Sequence, residues 1–432
     1  MTYFLLSGFY LFALFLLWRF MFRDYTRQGF SFHLLFSFIY GVIFFGGFPL
    51  SMIMVFGFEH QLQATHILFT VFASVLIGYL IYYGFYAYFP LPIGKQTTSQ
   101  LPSQFAKFDA KLTACLLLFI TIVTMGLFVY LNQGFLLFKL EKYHQVFSSS
   151  VEGVALKRFF YFFIPALLIL YFLNQSRKIW WAFLIVGLSL GMLSYLAVGG
   201  TRGNMAFAFA LFLLIGLDQG YLTIKQLLFA GIAAVVVMFF LALARYKLTV
   251  SGTEAILTFL YLSRDTFSPW ENFAQILASP IEYQGLMPIV RDFYVFIPSS
   301  IWAERPDITW NTANYFTKEV LNNYSGLAMS PTLLGSFYIM GGFPMMAIGM
   351  AAIGVMLKLF DTLFAFAKAS ADIGRSALIK AYCWGNIFNL VVLVREGSDG
   401  FFSRFVFFSM VFLACCILAR MSRYFYQQKG TI

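Results

Sequence analysis

On the predicted outer side of this chain, three arginines are each followed directly by an acidic residue, in the pairs Arg264-Asp265, Arg291-Asp292 and Arg395-Glu396. Arginine binds phosphate through two parallel hydrogen bonds and keeps its charge beside a membrane. A carboxylate nearby can act as the general base that takes the proton of a sugar hydroxyl. The pairs therefore indicate either recognition of an anionic lipid head group or local ion pairing that fixes a loop. Neighbouring helix positions point about 100° apart, so we expect the two members of each pair to have different partners.

Three further basic residues lie where the chain enters or leaves apolar segments. Arg202 occupies the tight turn 199–203, and Lys157 and Arg158 precede the apolar run that begins near residue 159. On the orientation derived below, all these residues lie on the outer side of a membrane, where arginine is disfavoured. Each of them therefore needs a structural or functional reason to be there.

Other catalytic or metal-binding patterns are missing from the sequence. It has no Walker loop, no dinucleotide-binding fingerprint, no His-Glu-x-x-His pattern and no nucleophile elbow. We expect the outer histidines His60, His66 and His144 to be plain polar loop residues, none of them among the arginines. The four cysteines all fall inside apolar segments without metal-site spacing: Cys115, Cys383, Cys415 and Cys416. We predict no metal and no cofactor.

Membrane-spanning helices are the elements that must position these side chains. Of the 432 residues, 61% are hydrophobic and 11% are charged, whereas a soluble domain has about 45–50% apolar and about 25% charged residues. Apolar runs near the length that crosses a bilayer, about 20 residues, recur along the whole chain. We predict an all-α polytopic protein with about eleven spans, near residues 3–18, 31–58, 67–89, 112–131, 159–173, 179–198, 205–217, 227–244, 331–357, 381–394 and 405–419.

The basic residues set the predicted orientation. Residues 19–27, directly after the first span, are rich in arginine, which is typical of a cytoplasmic segment. The N-terminus is then periplasmic and the C-terminus is cytoplasmic. On this topology the whole formal net charge of +11 falls on the cytoplasmic side, while basic and acidic residues balance on the outer side. The positive charge is thus a topology signal and does not indicate a nucleic-acid partner.

One predicted periplasmic loop, residues 245–328, is far longer than the others, and a second covers residues 132–158. Loops of such length usually carry function or have structure of their own. In the long loop, Ser268 and Glu271 around Pro269 predict a capping box, and residues 253–263 and 313–323 predict short amphipathic helices. Without repeats or a separate soluble domain, residues 1–432 are interpreted as a single integral membrane domain.

Three tryptophans cluster in the long loop: Trp270, Trp302 and Trp310. They fit anchoring at the membrane interface. A flat ring also suits the C–H face of a pyranose, so Trp270 and Trp302 are candidates for sugar stacking.

Several long runs carry a family resemblance: NQGFLLF at 132–138, SSSVEGVALKRFFYFFIP at 148–165, VGGTR at 198–202, TFLYLSRDTFSPWEN at 258–272, QGLMPIVRDFYVFIPS at 284–299, and residues 311–335. The chain resembles the WzyE family, the Wzy-type polymerases of enterobacterial common antigen, over nearly its whole length. The predicted number of spans and the large outer loop agree with this resemblance.

The resemblance implies a GT-C-like glycosyltransferase of the bacterial inner membrane that uses no nucleotide-sugar. The implied donor is a growing polysaccharide on undecaprenyl diphosphate, and the acceptor is a trisaccharide repeat unit on a second undecaprenyl diphosphate. A Wzx-type flippase and a Wzz-type chain-length co-polymerase are the implied partners. Negative charge builds on the departing diphosphate, where arginines would stabilise it. The diphosphate-binding candidates are Arg202, Arg264, Arg291, Arg395, Lys157 and Arg158, and the candidate bases, of which we expect one to be catalytic, are Asp265, Asp292 and Glu396.

Three alternatives stay open. A lipid-linked oligosaccharide flippase would usually show repeated halves and binding groups at the membrane midplane, and it needs no long outer loop. An O-antigen ligase-like glycosyltransferase shares the broad architecture, so only the sequence pattern favours the polymerase. A non-catalytic assembly subunit would make no product by itself.

Overall fold

The computed structural model describes residues 2–90, 104–139, 151–200, 203–246, 252–294, 302, 311–324 and 328–429, and within them it contains helices and no strand. The all-α polytopic prediction is confirmed. In this described part, nine helical segments are long and apolar enough to cross a membrane, and two shorter apolar helices are Gly203–Asp218 and Ile224–Ala233. These segments fall on the predicted spans, although the total number of membrane crossings stays a prediction.

Seventeen α-helices follow one another along the described chain. They are α1 Thr2–Gln28, α2 Phe32–Phe45, α3 Phe48–Phe58, α4 Thr65–Tyr88, α5 Gln104–Leu131, α6 Phe163–Leu173, α7 Arg177–Val198, α8 Gly203–Asp218, α9 Ile224–Tyr246, α10 Gly252–Phe267, α11 Trp270–Ala278, α12 Met287–Tyr294, α13 Thr312–Tyr315, α14 Leu333–Ala369, α15 Ile373–Gly385, α16 Ile387–Glu396 and α17 Ser398–Lys429. The described part of the predicted long loop thus carries four short helices, α10 to α13, and a π-helical turn, Phe316–Val320, directly follows α13.

The chain divides into two compact units. The first contains Met1–Ile93, Thr249–Thr362 and Phe388–Phe407, and the second contains Gly94–Leu248, Leu363–Ile387 and Phe408–Ile432. The interpretation of residues 1–432 as one integral membrane domain stays a prediction.

Two polar side chains fix the start of α2 in the first unit. Ser31 caps α2 by accepting a hydrogen bond from the backbone N–H of Leu34 at 3.2 Å. The carboxylate of Asp361 accepts from the backbone N–H groups of Phe32 at 2.7 Å and His33 at 3.1 Å. These first-turn donors have no partner within their own helix, and in a membrane each would otherwise be costly. One aspartate of α14 therefore holds the start of α2.

A break in α14 gives the long loop an attachment point in the same unit. The helix departs from helical geometry at Gly341 and Gly342, and Gly342 has φ 65°. The carbonyls of Ile339 and Met340, just before the break, accept from the backbone N–H groups of residues 284 and 285 at 3.0 and 2.9 Å. The segment that precedes α12 is thereby tied to α14.

In the second unit, two of the sequence runs that carry the family resemblance meet. Asn132, at the end of α5, donates through its side chain to the backbone oxygen of Glu152 at 3.0 Å, and its Oδ1 accepts from the Glu152 N–H at 3.1 Å. This two-way contact precedes a 3-10 helix, Val154–Phe162, that carries Lys157 and Arg158.

Candidate functional site

The candidate site lies in the first unit, where α10 and α11 of the long loop meet the end of α3. Between the two loop helices, Ser268 is buried, donates to the carbonyl of Ile43 and accepts from the N–H of Gly47, both at 2.7 Å. A Cβ on Gly47 would lie 2.6 Å from the Ser268 carbonyl, so only glycine permits this approach. Ser268 thus satisfies backbone groups at the α2–α3 break and fixes the loop to the bundle.

Arg264 is the central charge of the site, and it is buried. Its Nη1 lies 2.7 Å from Oε2 of Glu271, and its Nη2 and Nε each lie 3.0 Å from Oδ1 of Asp265. The other oxygen of Glu271, Oε1, accepts from the buried hydroxyl of Ser51 at 2.5 Å. The guanidinium is therefore held between two carboxylates, and its orientation is fixed by both of them.

A histidine and a tyrosine complete this cluster. Nε2 of His60 lies 3.3 Å from Nη1 of Arg264 and 3.5 Å from Oε2 of Glu271, and Nδ1 lies 2.7 Å from the hydroxyl of Tyr261. The Tyr261 ring also lies under the guanidinium of Arg264, 4.9 Å from ring centroid to Cζ. The expectation that no outer histidine lies among the arginines is wrong. The spacing of Tyr261 and Arg264, one helical turn apart on α10, was the available signal for the tyrosine.

The third arginine–acid pair lies beside the first. Nη2 of Arg395 donates to the backbone oxygen of Asp265 at 3.5 Å. Glu396 does not pair with Arg395 but with Arg404, with Oε2 at 2.8 Å from Nη2. The expectation of different partners is thus correct for Arg395 and Glu396. It is wrong for Arg264 and Asp265, which bind each other.

The turn after Glu396 is anchored to the end of the long loop. Asp399 is buried and accepts from the backbone N–H and the hydroxyl of Thr312, both at 2.8 Å. Tyr315, three residues further on in α13, accepts at its hydroxyl from the N–H of Glu282 at 3.0 Å, and burial raises its pKa. These contacts give α13 a defined position next to the segment that carries Arg395.

Arg291 lies on α12, and its Nε is a buried donor without a hydrogen-bond partner among the described residues; the same is true of Nε of Arg395. A buried donor on a charged group is costly to leave unpaired. Both arginines therefore retain N–H groups that could bind an anion.

The remaining predicted site residues are placed as follows. Lys157 and Arg158 belong to the second unit. The residues Arg202, His144 and Trp310 lie outside the described part of the chain, as does the side chain of Asp292. Trp302 packs edge-to-face on Tyr294, with ring centroids 5.1 Å apart.

Trp270 does not fit its predicted role in sugar stacking, because its side chain is completely buried. Its ring stacks on Phe72 at 5.4 Å and meets the edge of Phe48 at 5.6 Å. The capping box is also wrong, because α11 begins after Pro269 without a side-chain cap and Ser268 bonds other elements. Glu271 is consequently free of a capping role and faces Arg264.

Within the described residues, no group of three or more histidine, cysteine, aspartate or glutamate side chains is arranged to hold a metal ion. The cluster instead combines fixed positive charge, paired carboxylates, an imidazole and a phenol. Such a set can bind an anion through arginine N–H groups and can move a proton between oxygen and nitrogen.

Comparison with known proteins identifies the family. No solved structure matches the chain. A family model described as "WzyE protein, O-antigen assembly polymerase" matches residues 1–432, which is the whole chain. A match over the full length, together with the many apolar helices, means that this polytopic membrane protein belongs to the WzyE family of O-antigen assembly polymerases.

Proposed function

We propose that the protein is a glycosyltransferase that joins undecaprenyl-diphosphate-linked trisaccharide repeat units of enterobacterial common antigen at the periplasmic face of the inner membrane. A hydroxyl of the acceptor repeat unit attacks the anomeric carbon at the lipid-linked end of the growing polysaccharide. The bond from that carbon to the diphosphate breaks, and its electron pair leaves with undecaprenyl diphosphate. The polysaccharide is thereby transferred to the newer lipid carrier.

The observation that carries this proposal is the supply of arginine N–H groups in the first unit, in a chain of the polymerase family. Arg291 and Arg395 each have a buried Nε–H without a partner among the described residues. Charge that develops on a departing diphosphate is stabilised best by donors that are already in place. Arg395 and Arg291 are the strongest candidates for direct contact with the diphosphate.

Arg264 contributes differently to this proposal. Its N–H groups already bind Asp265 and Glu271. It therefore supports the site chiefly as a fixed positive charge that holds the carboxylate of Asp265, whose backbone oxygen accepts from Arg395. Arg202, Lys157 and Arg158 remain proposed contacts to the same lipid head groups.

A reconstitution experiment tests the proposal. Purified protein in proteoliposomes receives only the undecaprenyl-diphosphate-linked trisaccharide, without flippase or Wzz-type co-polymerase. The expected result is a ladder of products that differ by one repeat unit, with release of undecaprenyl diphosphate. Proteoliposomes prepared without the protein are the inactive control.

Other outcomes would decide for the alternatives. Movement of the lipid-linked trisaccharide across the bilayer without a ladder would indicate a flippase. Transfer that occurs only after addition of lipid A core would indicate a ligase, and no reaction at all would indicate a non-catalytic subunit. We further propose that a Wzz-type co-polymerase alters the length of the ladder and that a Wzx-type flippase supplies the substrate in cells.

A further inference from the structure

The proposed reaction needs a group that accepts the proton of the attacking hydroxyl, and the described carboxylates beside the arginines already bind other groups. Oδ1 of Asp265 already accepts two N–H groups of Arg264. Oε2 of Glu396 lies 2.8 Å from Arg404. Both oxygens of Glu271 are engaged, one by Ser51 and one by Arg264. These carboxylates act as ion-pair partners in this structure.

The imidazole of His60 has a different environment, because each of its nitrogen atoms has a partner that suits a change of protonation. With the proton on Nε2, that nitrogen donates towards Oε2 of Glu271 at 3.5 Å, and Nδ1 accepts from the Tyr261 hydroxyl at 2.7 Å. In this tautomer the 3.3 Å contact of Nε2 with Nη1 of Arg264 is not a hydrogen bond, because arginine has no acceptor. With both nitrogens protonated, Nδ1–H donates to the Tyr261 oxygen instead. From this tautomer the ring can therefore gain a proton while Glu271 and Tyr261 both stay its hydrogen-bond partners.

The charges that face His60 come from two elements. Arg264 of α10 opposes a positive imidazole, since Nη1 lies 3.3 Å from Nε2. Glu271 of α11 favours it, and Asp265 offsets part of the arginine charge. On its own segment, the preceding residue Glu59 is exposed.

We propose that Tyr261 and His60 form a proton relay for the acceptor hydroxyl, an inference that rests on the proposed function. As the acceptor oxygen bonds to the anomeric carbon, its O–H bond breaks and the proton passes to the Tyr261 oxygen. The tyrosine proton passes at the same time to Nδ1 of His60. The diphosphate leaves with the electron pair of the broken glycosidic bond, and the imidazolium later returns its proton to water.

In this relay Tyr261 touches the substrate, and His60 is a positioning residue that acts through it as the final proton acceptor. Glu271 holds the positive imidazole once the proton has arrived. Arg264 keeps Glu271 and Tyr261 in place, through its ion pair and through the contact of its guanidinium with the tyrosine ring.

Two substitutions test the relay in the proteoliposome ladder assay. Tyr261→Phe removes only the hydroxyl and keeps the ring against Arg264 and His60. His60→Ala removes the imidazole, and His60→Gln keeps a polar side chain of similar length. The matched controls are Tyr324→Phe and His66→Ala, because both side chains are exposed. Size-exclusion profiles of all variants report on folding.

We expect Tyr261→Phe and His60→Ala each to lower the rate of ladder formation by about 100- to 10,000-fold, the usual contribution of general acid–base catalysis. The controls should stay within about twofold of wild type, a change that corresponds to less than about 0.5 kcal/mol. Added imidazole should restore part of the activity of His60→Ala but none of that of Tyr261→Phe.

The outcomes separate the relay from the proposed function. If wild type makes a ladder while Tyr261→Phe and His60→Ala both stay within about tenfold of it, the relay is wrong and the polymerase remains. If both variants lose activity but imidazole does not rescue His60→Ala, the two residues are structural and the relay is again wrong. If wild type makes no ladder, the proposed function fails and the relay fails with it.

Discussion

Replacing Glu271 by glutamine should destabilise the protein much more than the same change at Glu396. Both carboxylates bind an arginine at nearly the same distance, 2.7 Å for Glu271–Arg264 and 2.8 Å for Glu396–Arg404. The side chains of the first pair are 8% and 12% exposed, and those of the second are 36% and 35% exposed. The comparison therefore varies burial while the ion-pair geometry is held almost constant.

Removing one partner of a buried ion pair costs about 3–5 kcal/mol, because the other charge stays buried without compensation. Asp265 still neutralises Arg264, and glutamine keeps the shape, so we expect Glu271→Gln to cost about 2–3 kcal/mol, the range of a hydrogen bond to a charged group. An exposed pair contributes only about 0–1 kcal/mol. The two losses should therefore differ by about 1–3 kcal/mol, which corresponds to about a five- to 150-fold difference in the unfolding equilibrium constant.

Unfolding of the purified protein in mixed micelles, followed by circular dichroism, measures these free energies. The double variant Arg264→Met with Glu271→Gln should recover part of the loss, since no uncompensated charge remains buried. Equal losses in the two glutamine variants would refute the reasoning, because they would show that burial does not set the strength of these pairs. The reasoning would also be refuted if the double variant lost more unfolding free energy than the Arg264→Met and Glu271→Gln variants lose together.

Three further predictions concern topology and the charged side chains. A reporter fused after Ile432 should be cytoplasmic and one inserted near Asp307 should be periplasmic, and the reverse result at either position would overturn the orientation. Arginine-to-lysine variants should impair ladder formation while the protein still reaches the membrane, because lysine cannot form two parallel hydrogen bonds to phosphate. The positions to test are Arg202, Arg264, Arg291 and Arg395. Normal polymerisation by the lysine and alanine variants would show that these arginines are structural. If Tyr261 and His60 carry the proton, Asp292→Asn and Glu396→Gln should lower the rate of ladder formation by less than about tenfold. A loss of about 100- to 10,000-fold in an amide variant of Asp265, Asp292 or Glu396 would instead identify that carboxylate as the base.

Local features of the loop were predictable in part. The helices predicted at residues 253–263 and 313–323 correspond to α10 and to α13 with its π-helical turn. The capping box was predicted from residue types alone. The prediction is wrong because the Ser268 hydroxyl forms its hydrogen bonds with the carbonyl of Ile43 and the N–H of Gly47, at the break between α2 and α3. A tertiary contact of this kind cannot be read from four consecutive residues.

The stacking role of Trp270 failed for a related reason. A tryptophan suits both a binding surface and a hydrophobic core, and its sequence neighbours do not distinguish the two. The rings of Phe48 and Phe72, about 200 positions away in the chain, cover it. Burial of a side chain is decided by all the elements that surround it.

The sequence by itself determined that this is an all-α membrane protein, because apolar runs long enough to cross a bilayer are local properties of the chain. Its long runs of family-specific residues also determined the family. The tertiary structure alone decided which charged groups meet. His60 and Arg264 are 204 positions apart, and Ser51 and Glu271 are 220 apart. From their types alone, the charged residues of the sequence could form many different ion pairs. Only the packing of α10 and α11 against the end of α3 selects one set of pairs.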